Sequence, residues 1–101
     1  SGPMPQYIIR TKETREWPRV NRDLLPAVLM PEGFGCAPAE GWGDFCMTCS
    51  GSAITFSGEE IGWQVSVEGS MGERDADALI AAVTEQVEQA SGEACEWLAI
   101  G

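Results

Sequence analysis

The chain has 101 residues, of which 44% are hydrophobic and 22% are charged, and its formal net charge is −10. This length predicts one domain with one hydrophobic core and little room for an enclosed active-site cleft. The sequence contains no histidine, which excludes histidine-dependent nucleophile pairs, general bases and metal ligands. The excess of 16 acidic over 6 basic residues argues against direct binding to nucleic acid or anionic membranes and favours a basic partner.

The chain is interpreted as a single α+β domain at residues 4–101, preceded by a tag remnant at residues 1–3. No apolar run reaches the length of a membrane-spanning helix, and no secretory segment opens the chain. A soluble protein with a cytoplasmic location is therefore expected.

The first half of the chain predicts one strand, one broken helix and one long loop. Residues 6–12 are rich in β-forming side chains, with one polar face. Asn21 can cap a short helix that Pro26 shortens or splits. Residues 31–43 contain four glycines and two prolines, which predicts a loop without regular structure. Loops of this length tend to be functional or disordered.

The second half predicts further strands around one long helix. Residues 44–49, 53–56 and 61–68 are strand-like, with a hairpin turn at residues 57–60. Ser70 and Glu73 fit a capping box, and apolar side chains then recur every three or four residues. This pattern predicts a helix that Gly92 ends, followed by a last strand at residues 94–100.

This order of elements predicts an α+β fold. The expected architecture is a two-layer sandwich: a mostly antiparallel sheet of four or five strands, one long helix and one short broken helix. A loosely ferredoxin-like topology is the closest named arrangement.

The four cysteines are the residues with the most distinctive chemistry. Cys46 and Cys49 have the spacing of a zinc knuckle, and Cys36 and Cys95 would complete a four-thiol site. However, Cys36 and Cys95 are isolated, and Cys46 and Cys49 point to opposite faces of a regular strand. Three states stay open: structural zinc, one or two disulfides, or ordinary buried thiols, which a reducing compartment favours. The leading interpretation needs no cofactor, and zinc is the alternative.

The charge is unevenly distributed along the chain. Residues 1–22 hold five of the six basic side chains and two acidic ones, a sum of +3. Residues 23–101 hold one basic and fourteen acidic side chains, a sum of −13. An acidic body of this kind can steer the molecule onto a cationic partner, which affects association rate and specificity more than affinity.

Catalytic motifs are not evident in the sequence. The carboxylate pairs Glu59–Glu60 and Asp75–Asp77 fall in a predicted turn and at a predicted helix start, and no phosphate-binding loop is present. The protein is therefore predicted not to be an enzyme. Trp17 and Trp42 lie in irregular segments, where a half-exposed indole can anchor a partner.

These observations favour a small acidic binding protein of the immunity or inhibitor type. It would occlude a basic partner, such as a toxin, a nuclease or another nucleic-acid-binding protein. The predicted contacts are one aromatic anchor and five acids: Trp42, with Asp44, Glu59, Glu60, Glu85 and Glu88. One alternative is an adaptor domain stabilised by a zinc ion that the four cysteines bind. Another is a structural or accessory component of a phage or secretion system, and a homodimer is possible.

Overall fold

The computed structural model describes residues 5–100, so the predicted tag remnant lies outside the described residues. A 3₁₀ turn at Arg22–Leu24 precedes the first helix. Within residues 5–100, no helix is both long and apolar enough to cross a membrane. In chain order the elements are β1 (Gln6–Thr11), α1 (Leu25–Leu29), β2 (Cys36–Pro38), β3 (Phe45–Cys49), β4 (Ser52–Glu59), β5 (Gly62–Glu68), α2 (Glu73–Ser91) and β6 (Cys95–Ile100).

One antiparallel sheet of six strands contains every strand of the described chain, in the order β2-β3-β4-β5-β1-β6. Because β1 is antiparallel to both β5 and β6, those two strands run parallel without being neighbours, and α2 connects them. The α+β fold class is confirmed. The sheet has six strands, not the predicted four or five, and the ferredoxin-like topology is not confirmed.

The strand register gathers most of the buried apolar side chains of the strands on one face of the sheet. Ile9 lies opposite Trp63 of β5 and Trp97 of β6, and Phe56 of β4 lies opposite Val65. The buried apolar residues of α1 and α2 belong to the same core cluster as these strand residues. We call this side of the sheet the core face and the opposite side the outer face.

The long helix begins later than its predicted capping box. Its N-cap is Gly72, which makes no side-chain capping bond, so the predicted Ser70 cap is wrong. A hydrogen bond ties the chain before the helix to the sheet: the Ser52 hydroxyl of β4 accepts from the Met71 amide at 2.9 Å. The predicted end is confirmed: Gly92 has a left-handed φ of 74°, and its amide donates to the Glu88 carbonyl.

Two further predictions concern the irregular segments. The split first helix is confirmed, with Asn21 capping the 3₁₀ turn and Pro26 in the first turn of α1. The prediction of no regular structure at residues 31–43 is wrong, because β2 pairs with β3 along its whole length. The predicted turn at residues 57–60 is also displaced, since β4 continues to Glu59 and pairs there with Gly62.

Candidate partner-binding surface

The sixteen acidic side chains divide into two groups in the structure. Four of them are half-buried, and each accepts a hydrogen bond: Asp44, Asp77, Glu88 and Glu96. The other twelve are exposed, and within residues 5–100 their carboxylates make no hydrogen bond or ion pair. Most of the negative charge is therefore available at the surface.

Two of the five predicted acidic contacts maintain local structure. The Asp44 carboxylate accepts from the Gly58 amide at 2.7 Å and from the Arg22 guanidinium at 3.2 Å. The Glu88 carboxylate accepts from the Cys95 amide at 2.8 Å, which links α2 to β6. The remaining three predicted acids, Glu59, Glu60 and Glu85, are exposed.

Trp42, the predicted aromatic anchor, lies in the connection between β2 and β3. Its side chain is 60% exposed. The flanking glycines run close to the outer face: a Cβ at Gly41 would lie 3.0 Å from the Cys46 sulfur, and one at Gly43 would lie 3.0 Å from Thr55 Cγ2. The loop therefore covers part of the outer face and leaves the indole in solvent.

Trp17 is held more firmly than Trp42. Its ring packs edge-to-face on Trp63, with centroids 5.1 Å apart and an interplanar angle of 89°. It also lies directly on the backbone of Gly58, where any side chain would overlap the indole. The following Pro18 is buried, yet Trp17 remains 40% exposed.

A groove of about 1010 Å³ lies beside this indole, between residues 16–21 and the turn that joins β4 to β5. Glu60 and Ile61 of that turn line the groove, and Ile61 is 59% exposed. We call this site the Trp17 groove. Three other cavities on the described part of the chain are smaller, at about 440, 370 and 420 Å³.

The groove wall is fixed by a tight turn at the end of β1. The Thr11 amide donates to the Glu16 carbonyl at 3.0 Å, and the Glu16 amide donates to the Thr11 hydroxyl at 3.1 Å. Arg15 adopts a positive φ of 55° within this turn. These bonds set the position from which Glu16 and Trp17 enter the groove.

The six predicted contact residues do not form one patch. Only Glu60 lines the Trp17 groove, whereas Glu85 and Glu88 line a separate cavity of about 440 Å³ that also includes Lys12. Sequence reasoning missed Ile61, which it placed in the predicted strand at residues 61–68. The position of Trp17 in an irregular segment was the available signal for the groove.

The cysteines do not converge on one point. Cys36 and Cys49, which lie directly opposite each other in β2 and β3, form a disulfide. Cys46 and Cys95 are free and buried, and burial raises the pKa of the Cys95 thiol. Cys46 lies on the outer face beside Thr55, away from the core position of Cys49. Within residues 5–100, no group of three or more potential ligands is arranged to hold a metal ion.

Tyr7 makes the stability of the folded chain depend on pH. Its hydroxyl donates to the Asp77 carboxylate at 2.6 Å, and burial together with this bond raises the pKa of the tyrosine above its ordinary value of 10.0. The folded state therefore retains the phenol proton more tightly than the unfolded state. The resulting stabilisation is complete below pH 10 and decreases as the pH rises above 10.

We expect Tyr7 to ionise above its ordinary pKa, and the phenolate absorbance near 295 nm reports it directly because the chain has one tyrosine. Tyr7→Phe should cost about 1 kcal/mol at neutral pH and reduce the loss of stability as the pH rises above 10. Urea unfolding from neutral pH to above pH 10 measures both effects. A tyrosine that titrates near pH 10 in the folded chain would contradict the assignment.

The chain matches no protein-family model, and neither the curated proteins nor the solved structures give a match.

Proposed function

We propose that the chain is a small acidic binding protein of the immunity or inhibitor type, without enzymatic activity, that occludes a basic partner. The observation that supports this proposal is the group of twelve exposed acids that make no ion pair within residues 5–100. Such a surface attracts a cationic protein over long distances and repels nucleic acid. The partner would be a toxin, a nuclease or another nucleic-acid-binding protein.

The proposed mechanism has two steps. The acidic surface first raises the rate of encounter with the cationic partner, and this step weakens as salt screens the charges. Exposed carboxylates then pair with arginine and lysine side chains that would otherwise contact phosphates. Binding of this kind blocks the partner by covering its basic site and needs no chemical step.

The proposal predicts a salt-dependent complex with a basic protein. Immobilised chain should retain such a protein from a lysate of the source cells at low salt and release it in a NaCl gradient. With the purified partner, we expect the Kd to rise about tenfold or more between 50 and 300 mM NaCl, and partner activity to fall as the complex forms.

A charge-matched pair of variants locates the contact. Glu59→Gln/Glu60→Gln/Glu85→Gln removes three predicted contacts and should weaken binding about tenfold. Glu68→Gln/Glu73→Gln/Asp75→Asn removes the same charge from other exposed positions and should weaken it less. The proposal would be contradicted if the immobilised chain retained no basic protein, or if salt left the Kd unchanged.

The cytoplasmic location remains a prediction, and the disulfide bears on it. Disulfides persist mainly in oxidising compartments, whereas cytoplasmic thiols are kept reduced. A cytoplasmic protein would thus contain Cys36 and Cys49 as thiols.

The zinc adaptor and the structural component also remain predictions. β6 lies at the edge of the sheet, and its Leu98 and Ile100 side chains are more than a third exposed. Because an exposed edge strand can pair with another chain, this position favours the homodimer that a structural component implies.

A further inference from the structure

The Trp17 groove contains an aromatic ring that is accessible on one side and packed against the fold on the other. Trp63 supports the indole from the core face, and Gly58 lets it lie directly on the backbone of β4. A ring held in this way loses little conformational freedom when a partner binds. Exposed tryptophans of this kind are the residues that most often dominate binding energy at protein interfaces.

The charges of the groove favour a cationic occupant. Glu16 and Glu60 both line it, and both are exposed and make no ion pair within residues 5–100. Arg19 is the one basic side chain among the lining residues. The two carboxylates therefore outnumber the single guanidinium.

The apolar lining specifies the rest of the occupant. A cation over the face of an indole is attracted by the ring electrons. The methylene stem of an arginine or lysine can cover apolar surface while its charged head stays near solvent. Ile61, which lines the groove together with Trp17, supplies such a surface. A purely apolar occupant would desolvate the two carboxylates without compensation.

We propose that the Trp17 groove binds an arginine or lysine side chain of the basic partner, with the stem between Trp17 and Ile61 and the charge near Glu16 and Glu60. The inference rests on the proposed function and locates its centre. It also replaces Trp42 with Trp17 as the aromatic anchor.

A labelled nona-arginine peptide is the probe, with binding measured by fluorescence anisotropy at 50 mM NaCl. Glu60→Gln and Ile61→Ser change exposed side chains, so both variants should fold. We expect each to weaken binding by about three- to tenfold. Glu68→Gln removes the same charge at the far end of β5 and should have a smaller effect. Arg19→Gln should tighten binding more than Arg74→Gln does.

A second measurement does not depend on variants. In an NMR titration of the ¹⁵N-labelled chain with the same peptide, the indole N–H of Trp17 should shift and that of Trp42 should not. The proposal is overturned, with the proposed function intact, if the peptide binds but Glu60→Gln and Glu68→Gln weaken it equally. Tighter binding of nona-glutamate, weakened by Arg19→Gln, would assign the groove to an acidic occupant. If the wild-type chain does not bind nona-arginine, the proposed function itself fails.

Discussion

Replacing Trp63 with alanine should lower the free energy of unfolding by about 3–5 kcal/mol, the largest effect we expect from a single substitution. Trp63 is 1% exposed and packs edge-to-face against both Trp17 and Phe56. Its removal leaves a cavity on the core face and takes away the support of the Trp17 indole. Because native domains are stable by only about 5–15 kcal/mol, the variant should lie near the limit of folding.

Trp42→Ala is the matched control for this prediction. The same residue type is removed, but from a side chain that is 60% exposed, so stability should change by about 0.5 kcal/mol or less. Trp63→Phe gives a graded test: it keeps an aromatic ring and removes Nε1, the one buried side-chain polar atom without a hydrogen-bond partner in residues 5–100. Trp63→Phe should lower the free energy of unfolding by less than Trp63→Ala does. Urea unfolding followed by far-UV circular dichroism measures all three, and equal losses for Trp63→Ala and Trp42→Ala would contradict the assigned packing.

Reduction of the Cys36–Cys49 disulfide should lower the free energy of unfolding by about 2–4 kcal/mol. The bond joins residues 13 apart in sequence, and a loop of that size loses roughly 3 kcal/mol of chain entropy from the unfolded state when it is closed. It also holds β2, a three-residue strand at the edge of the sheet whose one neighbouring strand is β3. Unfolding in urea with and without a reducing agent measures the difference.

The double variant Cys36→Ala/Cys49→Ala provides the control for that experiment. It should unfold at lower urea than the oxidised wild-type chain, and reductant should leave it unchanged because Cys46 and Cys95 are free thiols. Identical midpoints for the oxidised and reduced wild-type chain would show that the bond contributes nothing to stability. A midpoint of the double variant that moves with reductant would indicate another disulfide.

The sequence predicted the elements that local patterns define. The alternation of residues 61–68 identified β5, which begins at Gly62, and the three- and four-residue spacing after the predicted Ser70 cap identified α2, whose end Gly92 marked. In these segments the period of the apolar side chains matches the geometry of the backbone that buries them. The short β2 has too few residues for such a period, so its pairing with β3 could not be predicted.

Contacts between distant residues decided the candidate site. The sequence showed Trp17 in an irregular segment, but its contacts with Gly58 and Trp63 join residues more than forty positions apart. The same is true of Asp44: its charge suggested a partner contact, whereas the fold places it against the Gly58 amide. A pattern read along the chain contains no information about which acid will meet a backbone amide from another strand.

By itself, the sequence determined the acidic character of this protein, its α+β class and its two most regular elements, because composition and periodicity act locally or as sums. Tertiary structure alone decided how the charge is used. In the folded chain four acids are half-buried and accept hydrogen bonds, whereas twelve are exposed. Tertiary structure also brought Glu16 and Glu60, which are distant in sequence, to the lining of one groove beside Trp17. The physical reason is that the availability of a carboxylate depends on the groups that surround it in space, and the strand pairing of the sheet sets those neighbours.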